Sequence, residues 1–135
     1  MTVRAPFRVG HLDAFMVTTV ARAEWYRRFE VREQAIARGE TTRQAAAPDE
    51  RLWDGILALA EETLVIAGHR RVAAIPITPE QAAAELRVVA ERARKNWVND
   101  GSPAGARRHD DLAELARLIA DLPRRVALES ERKSA

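Results

Sequence analysis

Residues 51–68, Arg51-Leu-Trp-Asp-Gly-Ile-Leu-Ala-Leu-Ala-Glu-Glu-Thr-Leu-Val-Ile-Ala-Gly68, decide the fold class. Leu52, Trp53, Ile56, Leu57, Leu59, Ala60 and Leu64 recur at helical spacing on one wide face, and Asp54, Glu61 and Glu62 fall opposite. Gly68 suits the position just past a helix end. Arg70 and Arg71 follow, where cations meet the negative end of the dipole. Upstream, Pro48 with Asp49 and Glu50 predicts the helix start.

Working outward, Thr78-Pro79-Glu80-Gln81 reads as a second helix start. Thr78 is placed to cap, Pro79 stands at the first helical position, and Gln81 completes a capping box. That helix is expected to run to about Val98 with a seam of Ala82, Leu86, Val89, Ala93 and Trp97. Glu91 and Lys95 stand at i, i+4 in the favourable order. Asn99 to Gly105 reads as a loop. Asp110 is then placed to cap another helix, whose inner face holds Leu112, Leu115, Ala116, Leu118, Ile119 and Leu122. Pro123 is expected to end it, and the charged, aperiodic stretch 127–135 reads as a flexible tail.

Toward the N-terminus, a helix is expected from Asp13 to Arg38, broken by Gly39. Trp25, Tyr26, Phe29 and Ile36 share one side with Phe15, and Glu24, Arg27, Val31 and Arg38 lie opposite. Met16 to Val20 is rich in β-branched residues, which leaves the start open between helical and extended. Gly39 to Ala47 reads as a linker. Phe7–Val9 and Val72–Ile77 are short and β-tolerant. Pro76 restricts them to an edge piece, extended or two-stranded. The expectation is an all-α protein, a compact bundle of about four helices, with one domain over 1–126.

Composition narrows the chemistry. The chain has 135 residues, of which 47% are apolar, enough for one domain and too apolar for wholesale disorder. Lys plus Arg is 22 against 20 for Asp plus Glu, a net charge of +2. That balance does not by itself call for nucleic acid or a membrane surface. Arginine supplies all but Lys95 and Lys133 of the basic residues. The absence of cysteine excludes disulfides, thiolate-ligated metal and a cysteine nucleophile. No apolar run approaches the ~20 residues needed to span a bilayer. The opening MTVRAPFRVGHLDAF has neither a long apolar core nor a small-residue cleavage site. The cytoplasm is therefore the expected compartment.

Few residues suggest catalysis. His11, His69 and His109 belong to no metal-binding spacing, and no phosphate-loop or nucleophile-elbow motif occurs. Glu61-Glu62 and Asp110-Asp111 with Glu114 would share a divalent cation if their helices lay side by side. The ExxE and ExxD turns that all-helical nucleoside-triphosphate pyrophosphohydrolases use are broken here, because Leu64 and Val65 stand at the +3 positions. No metal site and no cofactor is expected. Arg-Arg pairs at 27–28, 70–71, 107–108 and 124–125 are more suggestive. Arg107, Arg108 and His109 just before a helix start would welcome an anion, as would Arg70 and Arg71. The leading expectation is a non-catalytic protein-protein interaction or assembly module. It would be a homo-oligomer or an accessory subunit of a phage, plasmid or multi-subunit assembly. A nucleic-acid or nucleotide-phosphate binder using the arginine pairs is the alternative. A metal-dependent nucleotide hydrolase is third.

Overall fold

Asp13 caps the first helix, α1 (Ala14–Ala37), by accepting a hydrogen bond from the Met16 N–H at 2.9 Å. This settles residues 14–20 as helical. Gly39, at φ +73°, turns the chain where only glycine is unstrained. The computed structural model describes residues 12–63, 75–101 and 103–134. Among them are three further helices, α2 (Arg43–Glu62), α3 (Pro79–Asp100) and α4 (Pro103–Ser134), and no strand. The fold is an all-α bundle. Phe7–Val9 and Val72–Ala74 lie outside the described residues. Ile75–Ile77 forms a bend, with Ile75 and Ile77 packed against the core.

Three boundaries differ from expectation. The supposed linker is mostly helix. The Thr42 hydroxyl accepts from the Ala45 N–H at 3.1 Å, and Arg43-Gln-Ala-Ala-Ala47 are good helix formers, so α2 begins before Pro48. Pro48 falls inside α2. The expected loop from Asn99 to Gly105 is largely helix, since α3 runs to Asp100 and α4 from Pro103. Gly101 ends α3 at φ +68°, and α4 starts at Pro103, a residue that loses nothing by lacking an N–H there. Asp110 is therefore inside α4. Pro123 also fails to stop α4, which continues to Ser134, so the expected tail is helical up to that residue. Leu122 and Val126 pack on the core to either side of Pro123, and Arg125 donates to the Thr63 carbonyl at 2.9 Å, tying this part of α4 to the end of α2. These contacts outweigh one lost backbone hydrogen bond. The expected helix end at Gly68 lies outside the described residues.

The capping box at α3 is present. Thr78 Oγ1 accepts from the Gln81 N–H at 3.1 Å, and Gln81 Oε1 accepts from the Thr78 N–H at 2.9 Å. Helices α3 and α4 form the most extensive helix pair. Small residues make this possible: Ala83, Ala90 and Ala93 on α3 are buried, as are Ala106 and Ala116 on α4. A Cβ added at Gly105 would lie 3.0 Å from Trp97 Cβ, so glycine is what lets the two helices meet there. Trp53, Ile56, Leu59, Leu86, Leu115 and Ile119 form the centre of the core. Glu91 pairs with Arg94 at 3.0 Å, one residue before the expected Lys95.

The expected inner face of α1 holds only in part, with Trp25 packed against the core. Val17, Ala21, Glu24 and Arg32 are buried, whereas Tyr26 and Phe29 are exposed and Trp25 is half-buried. The inward charges have partners. Arg32 Nη1 donates to Asp49 at 3.1 Å, and the Arg28 guanidinium stands 5.2 Å over the Trp53 ring. Trp25 Nε1 donates to Asp54 at 2.8 Å, which holds its ring at the α2 edge. Long arginine stems supply apolar contact while their heads find carboxylates and a ring face. Glu62, expected to face solvent, is also buried.

Candidate functional site: the arginine-rimmed groove

Helix α1 packs on α2 and touches α4, but does not pack on α3. A groove of about 500 Å³ therefore opens between α1 and the α3–α4 hairpin. Val20 and Ala23 of α1 form one wall, Ala93 and Leu112 the floor, and Ala104 part of the far wall. Arg27, Arg107 and Arg108 line it with Glu24 and Asp111. Three guanidiniums thus face two carboxylates.

These charges are not equivalent. Arg108 grips Glu24 with both arms, Nε to Oε1 at 2.6 Å and Nη2 to Oε2 at 3.1 Å. The Glu24 side chain is only 5% exposed and that of Arg108 only 23%. A planar guanidinium fork on a carboxylate, shielded from water, is a strong charge-assisted pair. It joins α1 to α4 and is structural. Arg27 Nε reaches the same carboxylate at 3.7 Å from an exposed position. Arg107 is exposed at the groove's edge. Arg27 and Arg107 are therefore the cations a ligand would meet.

Arg107, Arg108 and His109 lie inside α4 and not ahead of it, so their amides are held within the helix. The free N–H groups expected beside these cations are therefore taken up by the helix. What the structure adds is the groove, which brings Arg107 and Arg108 together with Arg27 of another helix. His109 Nδ1 lies 3.4 Å from Asp110 Oδ1, and both side chains are largely buried. Arg70 and Arg71 lie outside the described residues. Sequence reading misses Glu24 and takes Arg27 only as half of the 27–28 pair, because nothing within a few residues of either points to α4.

Among the described residues, the acidic groups are engaged one by one. Glu114 is fully buried and takes Arg117 in a two-armed pair at 2.6 and 3.0 Å, which raises the Arg117 pKa above its usual value through that hydrogen bond. Among the described residues, no three His, Asp or Glu side chains lie close enough to hold a metal ion. Nor is any described helix long and apolar enough to cross a membrane.

A second surface feature is aromatic. Trp25 stacks on Phe29 with centroids 5.5 Å apart, and Tyr26 meets Trp25 edge-on at 5.3 Å. Tyr26 is 61% exposed, so this ledge on the α2 side of α1 is open to contact.

No protein-family model, curated protein or solved structure matches this chain.

Proposed function

We propose that this protein is a non-catalytic helical interaction module that seats a segment of a partner protein in the groove between α1 and the α3–α4 hairpin. The observation that supports this is the groove itself, with its alanine, valine and leucine walls and a cationic rim. Concave apolar sites edged by a few placed polar groups are where ligands dock. Helical grooves take amphipathic segments by their apolar faces.

The test is selection of a displayed library of random peptides on the immobilised protein, followed by binding of the enriched clones to Ala23→Trp. Ala23 is exposed on the groove wall, so the indole fills the groove and leaves the core alone. Enriched clones should lose at least tenfold in affinity. Clones that bind the filled groove equally well, or a selection that enriches nothing, would overturn the reading.

A second reading is self-association through the ledge of Trp25, Tyr26 and Phe29, supported by the exposure of the latter two. Exposed aromatics are the residues most often at the energetic centre of interfaces. Sedimentation should show a concentration-dependent species at micromolar protein, and Tyr26→Ser/Phe29→Ser should return it to monomer. Monomer alone across the range would remove this reading and leave the groove untouched.

A further inference from the structure

Resting on the groove as a docking site, we infer that its occupant is an acidic amphipathic segment of a partner protein, with apolar side chains on the groove floor and carboxylates against Arg27 and Arg107. Charge and shape lead to the same occupant. The Glu24–Arg108 pair is internally neutral and shielded, so it offers little to a ligand. Asp111 also lines the groove and opposes an anion, so Arg27 and Arg107 outweigh it by one positive charge. Both are exposed and reachable from solvent.

The floor then selects the kind of anion. Ala93 and Leu112 give the floor an apolar surface, Thr19 and Asn96 are the uncharged polar side chains of the lining, and none of the lining residues is aromatic. A nucleic-acid strand would find cations without a platform on which to stack its bases. A peptide helix uses both parts, apolar positions for the floor and acidic ones for the rim. The α1 wall from Thr19 to Arg27 spans roughly 12 Å at 1.5 Å per residue. That is about two helical turns, so the docked segment should carry apolar residues at i, i+3 or i+4, and i+7.

Charge also argues against the chain's own remaining stretches. Residues 1–11 and 64–74 contain no Asp or Glu and carry Arg4, Arg8, Arg70 and Arg71. The rim repels such segments and favours an acidic partner from outside.

The experiment uses two labelled synthetic peptides with the same leucine seam, one with Glu and one with Lys at every outer position. Fluorescence anisotropy is read on wild type and on Arg27→Ala/Arg107→Ala at two salt concentrations. The Glu peptide should bind wild type about tenfold or more tightly than the Lys peptide at low salt. The double substitution should reduce that preference to within about twofold, and added salt should weaken only the Glu peptide. Equal binding of the two peptides, binding of neither, or a preference that survives the double substitution would overturn the inference. So would displacement of the Glu peptide by a short oligonucleotide with a salt slope that falls by about two in the double variant, which would identify a phosphate site instead. The docking reading stands or falls separately. If the peptide selection yields clones that need the open groove but are not acidic, the groove remains a docking site and only its acidic preference is lost.

Discussion

Ile56→Ala should lower the stability of this protein by about 2–5 kcal/mol, read as a fall in the midpoint of chemical denaturation at unchanged slope. Ile56 is 1% exposed and belongs to the cluster that holds Trp53, Leu59, Leu86, Leu115 and Ile119. Truncation removes methyl groups from a fully packed site and leaves a cavity, because neighbours anchored on other helices cannot all close in. The cost is a large share of the ~5–15 kcal/mol that holds a domain of this size together. Leu52→Ala on the same helix is the internal control. Leu52 is only partly buried at the edge of the cluster, so its truncation should cost visibly less. An Ile56→Ala midpoint indistinguishable from wild type would mean that this face of α2 is not in the core.

Arg108→Ala should cost about 2–4 kcal/mol, somewhat below the range for breaking a fully buried pair, since the Arg108 side chain keeps some contact with water. The loss comes chiefly from Glu24. Its carboxylate stays buried between α1 and α4 without the fork that compensated its desolvation. Arg27 offers only an exposed, longer contact to the same oxygen, so Arg27→Ala alone should stay within about 1 kcal/mol. Two variants separate the causes. Arg108→Lys keeps the charge but not the two-armed geometry and should fall between wild type and alanine. Glu24→Leu in the Arg108→Ala background should regain part of the loss, because no buried charge then remains. A change below about 0.5 kcal/mol for Arg108→Ala would show that the pair does not hold α1 to the hairpin.

This pair also shows how much of the groove could be read in advance. Arg107 and Arg108 stand out in the sequence as a doublet among turn-forming residues, and local pattern places them just before a helix start at Asp110. With α4 starting at Pro103, their chemistry comes from α1 instead. Glu24 and Arg108 are 84 positions apart, and no local pattern links them.

The sequence alone determined the all-α class, the existence of the helices, the cap at Asp13, the capping box at Thr78 and Gln81, the apolar inward face of α4, and that of α2 apart from Glu62. Each of these depends on residues three or four positions apart, where periodicity and end-capping act within one or two turns. Tertiary structure decided which face of α1 turns inward, how far α4 runs beyond Pro123, and that a groove opens beside Arg27 and Arg107. On α1 the aromatic side was the better apolar face by spacing. Only Trp25 of that side packs on the core, and Tyr26 and Phe29 gave way to a charged face because Glu24, Arg28 and Arg32 each meet a partner on another helix: Arg108, the Trp53 ring and Asp49. A buried charge is costly alone and tolerable only when paired, and whether it is paired depends on residues that folding brings together from far along the chain.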